Sequence, residues 1–398
     1  MQKDMLRYYS RNQIFLSQMG IWPYQPKVIK VLLPSFLVAA EISALITQMF
    51  LLFNTWGDVN MIIEGIVNTI LFVGATAKLV NIVVNNKKLQ HLLELMNGHW
   101  RLFHSEDELH ILRLYANYGQ KVTKYYSVYI NIFIATFLSI PLLPKILDVI
   151  IPLNESRPSV YVFEGDWKVD KEKYYYPILL HSYLAAVITI RIMVHVDTMY
   201  IVCVLHGCSL FNAIGIRLEN IFDMIKFVKG ETAMNKRYLA IEEYDDYCEM
   251  IACLKKHQLA IKYTRMLDST FRSVTFLILL LNILILSLIG LQLINKLGQT
   301  QEVIRFGCIA VGSVTHLLSI CLPGQLLLDG SIDVFDKAYS AQWYMFSLKT
   351  KKLLSILLYR SLVPCTLSAA NMCVMSMTTF SSVMQTAMSY FTTFLSVS

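Results

Sequence analysis

Seven long apolar stretches, separated by polar connections, run through this chain. Each is long enough to cross the hydrocarbon core of a bilayer, roughly 30 Å thick, as an α-helix. The stretches cover residues 28–53, 61–84, 126–150, 177–203, 271–294, 305–328 and 365–397. The pattern therefore predicts an all-α membrane protein with seven transmembrane helices.

Basic residues are unevenly distributed among the connections. Of the 35 Lys and Arg residues, 24 lie in the leader (1–27) and in the connections after the second, fourth and sixth stretches, whereas the other connections hold five. Because Lys and Arg are retained on the cytoplasmic side, the amino terminus is predicted inside and the carboxyl terminus outside. The sequence's Asn-x-Ser/Thr acceptor, a predicted glycosylation site at Asn154, then lies outside.

The composition fits a single membrane domain covering residues 1–398. Apolar residues make up 55% of the chain and charged residues 16%, an unusual balance for a soluble protein of this size. The net charge of +7 arises in the predicted cytoplasmic connections, so it indicates attraction to anionic membrane lipid and not to nucleic acid. None of the eight cysteines lies in a predicted outer connection. No metal-binding, nucleophile-elbow, dinucleotide or Walker motif is present, so we expect neither a cofactor nor an enzyme.

Within this domain we distinguish four parts. The cytoplasmic leader (1–27) lacks the continuous apolar core of a signal peptide, and residues 28–347 hold the first six helices with their loops. Residues 348–364 form a basic amphipathic cytoplasmic segment, and residues 365–398 form the final helix. Apolar positions at helical spacing predict cytoplasmic helices over residues 85–124 and 238–268, and the helix-compatible sequence of residues 200–227 predicts that the fourth helix continues into the cytoplasm.

The final helix carries no charged residue, but it has a stripe of hydroxyl and amide side chains at spacings of four and three. We call these residues the polar stripe: Thr378, Ser382, Gln385, Ser389, Thr393 and Ser396. Such a row suits the wall of a weakly selective aqueous pore. Ser and Thr also mediate close packing of membrane helices, and the residues alone favour that second interpretation.

Ionisable side chains inside the predicted spans are functional candidates because lipid cannot solvate them. They are Glu41, Glu64, Lys78, His181, Arg191, His195, Asp197 and His316. Lys78 lies near the inner end of its helix, where a long side chain can reach water. Arg191, His195 and Asp197 suggest a polar network at the inner leaflet. Glu41 lies close to mid-membrane, where it is either protonated or paired.

A series of short motifs follows from the sixth stretch to the end of the chain. In order they are Pro323-Gly324-Gln325-Leu326, Asp336-Lys337-Ala338-Tyr339, Trp343-Tyr344, Lys351-Lys352-Leu353-Leu354, Arg360-Ser361, Pro364, Leu367-Ser368-Ala369, Thr379-Phe380-Ser381-Ser382-Val383 and Ser389-Tyr390-Phe391-Thr392. Together they resemble the insect odorant receptor family. The segments Asp166-Trp167, Tyr174-Tyr175-Tyr176-Pro177 and His181-Ser182-Tyr183 are most like those of ants and bees.

The resemblance implies an odour-gated, non-selective cation channel that opens without a G protein, in the plasma membrane of olfactory neuron dendrites. It also implies a heterotetramer in which a tuning subunit joins the shared coreceptor, Orco. In that family the final helix lines the pore, and the pore and gate positions fall on Thr393, Ser396 and Val397. The coreceptor has an apolar residue, Gln and Leu there, and a long insertion that this chain lacks. The missing insertion, which lies in the second intracellular loop of the coreceptor, favours a tuning subunit.

Ligand pockets in the family lie in the outer half of the bundle, between the second, third, fourth and sixth helices. Depth and helical spacing assign eleven residues of this chain to such a pocket. They are Asn68, Leu71, Phe72, Thr136, Ser139, Leu143, Tyr183, Val187, Cys308, Val311 and Gly312. This mainly apolar wall suits a hydrophobic volatile or hydrocarbon, held by burial at about 25 cal/mol per Å².

Two alternatives stay open from sequence. A gustatory receptor of the same superfamily would place Gln-Phe in its closing motif, where this chain has Leu395-Ser396-Val397. A seven-helix G-protein-coupled receptor would need an external amino terminus and the Asp-Arg-Tyr and Asn-Pro-x-x-Tyr motifs, which are absent.

Overall fold

A computed structural model of the chain describes residues 3–151, 157, 160–231, 236–340 and 343–397. For the helical residues 3–6, 222–231, 236–245 and 397, only the backbone is described. The predicted glycosylation site, Asn154, lies outside the described residues and stays a prediction.

The described residues form α-helices, two short 3-10 turns and one small β-hairpin. The helices are α1 (Lys3–Gln18), α2 (Lys27–Asn54), α3 (Val59–Val84), α4 (Asn86–Leu102), α5 (Glu106–Ser139), α6 (Leu143–Ile150), α7 (Tyr175–Glu231), α8 (Lys236–Asn295), α9 (Thr300–Tyr339), α10 (Leu348–Ser361) and α11 (Met377–Val397). The 3-10 turns are Ile140–Leu142 and Trp343–Met345, and the strands are β1 (Ser368–Ala369) and β2 (Cys373–Val374).

Six helical segments in the described part of the chain are long and apolar enough to cross a membrane. Five of them are the helices α2, α3, α7, α8 and α9, and the sixth is the segment formed by α5 together with α6. The seventh span is α11, whose 21 residues suffice for a bilayer but whose hydroxyl and amide side chains make it less apolar. The predicted all-α fold with seven membrane helices is therefore confirmed.

The fourth and fifth spans continue far beyond a bilayer. With 57 residues in α7 and 60 in α8, a rise of 1.5 Å per residue gives lengths of about 85 and 90 Å. Their inner halves pack together with α4, as the amphipathic pattern of the sequence predicts. On α4, Leu89, Leu92, Leu93 and Met96 lie on one face and are at most 1% exposed. The buried face of α4 therefore follows the helical spacing of apolar residues that is visible in the sequence.

The third span is not one straight helix, although the sequence predicts a single stretch over residues 126–150. α5 ends at Ser139, a 3-10 turn follows, and α6 resumes the helix. Pro141 and Pro144 stand at the starts of the turn and of α6, since proline lacks the N–H that a helix interior requires.

The final span also differs from its prediction. Residues 365–376 precede the helix, and they contain the β-hairpin, in which Ser368 pairs with Val374. Ala370 and Asn371 turn the chain with φ of 51° and 59°, the left-handed conformation, and the turn is closed by the N–H of Met372, which donates to the carbonyl of Ala369 at 2.9 Å. The hairpin is held to α8, because Asp268 accepts hydrogen bonds from the backbone N–H and the hydroxyl of Ser368, at 2.7 and 2.9 Å.

Candidate ligand cavity and terminal helix

A cavity of about 150 Å³ lies among α3, α5, α7 and α9, at the centre of the bundle. α7 is in the middle because it packs against α2, α3, α5, α8 and α9. The residues lining the cavity are Asn68, Leu71, Phe72, Tyr126, Ile130, Phe133, Phe137, Phe163, Ala186, Thr189, Ile190, Met193, Val194, Ile309, Gly312, Ser313 and His316. Its volume fits a small volatile molecule, and its mostly apolar lining favours binding by burial.

The outer end of the cavity is covered by residues 160–174, the described part of the loop that leads into α7. Phe163 from this loop lines the cavity and meets Phe72 edge-on, with 5.3 Å between the ring centroids. Trp167 stacks on Phe163 and donates its indole N–H to Nδ1 of His181, at 3.2 Å. His181 therefore holds the covering loop to α7, which is a structural role for one of the ionisable residues noted in the sequence.

Three ionisable side chains meet at the inner end of the cavity. Lys78 on α3 and Asp197 on α7 form a hydrogen-bonded ion pair, and each side chain is 4% exposed. His316 on α9 places Nε2 at 2.6 Å from Nζ of Lys78 and 3.3 Å from a carboxylate oxygen of Asp197. We expected the side chain of Lys78 to reach water, and this expectation is wrong. Its ammonium group pairs instead with the buried carboxylate of Asp197.

The polar network expected from Arg191, His195 and Asp197 does not form. Residues 195 and 197 are separated by about 200° around a helix, so they face different neighbours. His195 is buried, stacks on Phe15 at 4.4 Å and contacts the sulfur of Met19 in the leader. Of the three, Asp197 alone joins the charged group at the cavity.

Two other buried carboxylates have identifiable partners. Glu64 forms a buried ion pair with Arg305, which joins α3 to α9 near their outer ends. Glu41 accepts from the hydroxyl of Thr189, whose Oγ1 lies 3.0 and 3.1 Å from the two carboxylate oxygens. Since Thr189 lines the cavity, Glu41 is connected to the cavity wall through one hydroxyl group.

Asn68 is the most unusual polar group on the wall. Its side chain is on α3, and the residue is only 6% exposed. The amide nitrogen Nδ2 is buried and has no hydrogen-bond acceptor among the residues that the structure describes. A buried amide without a partner costs free energy, because burial removes its hydrogen bonds to water.

Of the eleven residues that the sequence assigned to the ligand pocket, four line the cavity: Asn68, Leu71, Phe72 and Gly312. The other seven do not line it: Thr136, Ser139, Leu143, Tyr183, Val187, Cys308 and Val311. Thr136 and Ser139 are exposed on the outside of the bundle and donate to backbone carbonyls of their own helix. Val311 is 56% exposed, and the Tyr183 hydroxyl donates to the carbonyl of Leu138.

The reason for these differences is rotation about the helix axis. On α5 the cavity is lined by Tyr126, Ile130, Phe133 and Phe137, whereas Thr136 and Ser139 lie about 90° and 150° around the helix from the centre of that face. The spacing of four, three and four residues between these aromatic and aliphatic side chains is the sequence pattern that could have identified the cavity face of α5. On α9 a one-residue shift separates Val311 from Gly312.

The polar stripe of α11 faces away from the rest of the chain. All six of its residues are exposed, including the predicted pore residues Thr393 and Ser396, while the side chain of Val397 is not described. The opposite face packs on α8: Val383 and Ala387 are buried, and the Ser287 hydroxyl donates to the Ala387 carbonyl at 3.1 Å. The packing interpretation of the stripe therefore does not hold within one subunit.

A larger groove of about 630 Å³ lies at the cytoplasmic side between α8 and α10. Lys262, Arg265 and Arg360 line it, so it suits an apolar volatile less well than the central cavity. In the described ranges, no group of three or more His, Cys, Asp or Glu residues is placed to hold a metal ion.

Comparison with known proteins gives consistent results. The sequence model of the family described as 7tm Odorant receptor matches residues 58–388. Odorant receptor Or2 of Anopheles gambiae is 21% identical over 380 residues, which is 94% of each chain. The solved structure of the olfactory receptor OR5 from Machilis hrabei in complex with eugenol superposes with a TM-score of 0.79 at 14% identity, covering 99% of both chains. A second solved structure of OR5 from Machilis hrabei superposes with a TM-score of 0.77 at 14% identity.

Proposed function

This chain belongs to the 7tm odorant receptor family, and from that premise we propose that it is the tuning subunit of a heterotetrameric, odour-gated cation channel. The partner is the coreceptor Orco, and the location is the dendritic plasma membrane of olfactory neurons. Family membership favours this function over the gustatory and G-protein-coupled alternatives. The distribution of Lys and Arg supports a cytoplasmic amino terminus and an external carboxyl terminus.

The exposed polar stripe of α11 is the observation that carries the channel proposal. Six hydroxyl or amide side chains face outward from a membrane helix, and none is charged. Facing lipid, these groups would find no polar partner beyond their own helix. Facing a central axis shared by four subunits, they would line an aqueous path of low selectivity. Thr393, Ser396 and Val397 would lie at its outer, narrow end.

The central cavity is proposed as the odour site. Its aromatic wall, formed by residues such as Phe72, Phe133, Phe137 and Phe163, would hold a hydrophobic volatile by burial. The seven sequence-assigned residues outside the cavity wall would not contact the ligand. Because OR5 from Machilis hrabei has been solved with eugenol, eugenol is a useful member of any test panel.

A physical connection between the odour site and the pore passes through α8. A second void of about 30 Å³ shares Leu71, Met193, Ser313 and His316 with the cavity, and it reaches Ile278 and Ile285 of α8. α8 in turn carries the contact between Ser287 and Ala387 of α11. A ligand that binds better when these helices move apart would favour the open pore, since only differential affinity shifts such an equilibrium.

Co-expression with the coreceptor in oocytes tests this function. Voltage-clamp recording against eugenol, small esters, ketones and long-chain hydrocarbons should reveal an odour-evoked cation current that needs both subunits. Oocytes with the coreceptor alone provide the control, and a G-protein inhibitor should leave the current unchanged. A response that persists without the coreceptor, or that a G-protein inhibitor abolishes, would contradict the proposed mechanism.

A further inference from the structure

Asn68 places an amide nitrogen without a hydrogen-bond partner in the mostly apolar wall of the cavity. Its neighbours along the same face of α3 are Leu71 and Phe72, and both also line the cavity. The amide nitrogen of Asn68 is buried and has no acceptor among the described residues. Packing alone does not explain this side chain, because an aliphatic residue would fill the same space without a desolvated amide.

The other polar groups around the cavity do not supply this acceptor. Thr189 directs its hydroxyl towards Glu41 and towards the carbonyl of Ala185, at 2.9 Å. His316 lies beside Lys78 and Asp197 at the inner end. The hydroxyls of Tyr126 and Ser313 also line the cavity, and neither accepts a hydrogen bond from Nδ2 of Asn68, which has no partner among the described residues.

We infer that the preferred ligand is an apolar molecule with one oxygen acceptor, such as the carbonyl of a ketone or an ester, and that Asn68 donates to this oxygen. The inference rests on the proposed odour site and narrows it from hydrophobic volatiles in general to oxygenated ones. A pure hydrocarbon filling the cavity leaves the amide N–H unsatisfied, whereas a carbonyl oxygen satisfies it. The apolar remainder of the ligand lies against the phenyl rings of the wall in either case.

Matched ligand pairs test the inference directly. Each pair consists of a methyl ketone and the alkane with the same number of carbons, so that the apolar area is nearly equal and one oxygen differs. Dose-response curves are recorded for the receptor co-expressed with the coreceptor, using wild type and Asn68→Leu. The measured quantity is the ratio of half-maximal concentrations for alkane and ketone within a pair.

Wild type should respond to the ketone at a concentration about tenfold lower than to the alkane, as expected for one buried hydrogen bond. Asn68→Leu should bring this ratio close to one, mainly by weakening the ketone response, while the alkane response is kept or improved. Asn68→Gln, which retains an amide, should preserve part of the preference.

The control variant is Leu71→Ala, one turn away on the same wall. It removes apolar contact and should weaken both members of each pair by a similar factor, so the ratio is unchanged. A wild-type ratio near one, or a ratio that survives in Asn68→Leu, would overturn the inference while leaving the odour site intact. If every ligand failed to evoke current through a surface-expressed complex, the proposed function itself would fail.

Discussion

Nζ of Lys78 lies 2.6 Å from Nε2 of His316, where α3 and α9 meet at the inner end of the ligand cavity. The same ammonium group is hydrogen-bonded to Asp197 of α7, so three membrane helices converge on one buried charged group. Since His316 also lines the cavity, this group lies next to the proposed ligand. Disrupting this buried charged group should therefore affect both folding and the odour response.

We predict that Lys78→Met destabilises the receptor by about 3–5 kcal/mol, because it leaves the carboxylate of Asp197 buried without its cation. Adding Asp197→Leu should restore most of the loss, since the double variant buries no unpaired charge. Surface expression and thermal unfolding in detergent would measure both effects. Equal losses in the single and double variants would show that the ion pair is not the relevant interaction.

The volume of the cavity limits the size of the ligands that can bind, and one substitution should lower that limit. A Cβ at Gly312 would meet only the end of the Phe133 ring, at 3.7 Å, so Gly312→Val should fold and occupy cavity volume. Responses to the bulkiest active ligands should weaken by about tenfold or more, with smaller effects on small ligands. Val311→Leu, at a position 56% exposed outside the cavity, is the matched control. A uniform loss across ligand sizes in Gly312→Val would argue against a size limit at this wall.

Acid should destabilise the cytoplasmic part of the fold through His99 on α4. Burial lowers the pKa of His99 to about 4, below the roughly 6.5 of an exposed histidine. Protonation therefore favours the unfolded chain: the contribution of this residue is complete above about pH 6.5 and is lost as pH falls towards 4. The maximum loss is about 3 kcal/mol.

His99→Gln keeps a group that can hydrogen-bond to His206, which lies 3.1 Å from Nδ1 of His99, but it does not titrate. Thermal unfolding temperatures between pH 7 and pH 4 should fall less steeply in this variant than in wild type. His110→Gln, at an exposed position on α5, should follow the wild-type curve. Identical slopes for His99→Gln and wild type would mean that other groups dominate the acid sensitivity.

Orientation in the membrane is a separate prediction. An epitope tag at the amino terminus should be stained only after permeabilisation, and a tag at the carboxyl terminus should be stained on intact cells. Immunofluorescence on the same transfected cells measures both. The reverse staining pattern would place the Lys- and Arg-rich connections outside the cell. The carboxyl-terminal end of α11, which we propose as the outer end of the pore, would then lie inside.

Sequence patterns predicted the helices better than the cavity. Continuous apolar stretches identify membrane spans because a span needs length and hydropathy alone, and the periodic leucines of α4 identified its buried face. The cavity wall required the rotation of each helix, which neighbouring helices determine. One residue, or about 100°, separates Gly312 on the wall from Val311 outside it.

The charged partners were also beyond sequence reasoning. Lys78, Asp197 and His316 are separated by more than a hundred residues along the chain, and no local pattern joins them. The hairpin before α11 was missed for a different reason. Its residues are apolar enough to continue a span, but the contact of Ser368 with Asp268 of α8 holds them in extended conformation.

The central claim is that α11 lines the ion-conducting axis with its polar stripe, and cysteine modification measures this most directly. A charged, membrane-impermeant thiol reagent is applied outside during odour-evoked current in Thr393→Cys, with wild type and Met388→Cys as controls. Met388 is 61% exposed but lies about 140° around the helix from Thr393. We predict that the reagent reduces the current in Thr393→Cys and leaves both controls unchanged. Loss of current in Met388→Cys with no effect in Thr393→Cys would contradict it.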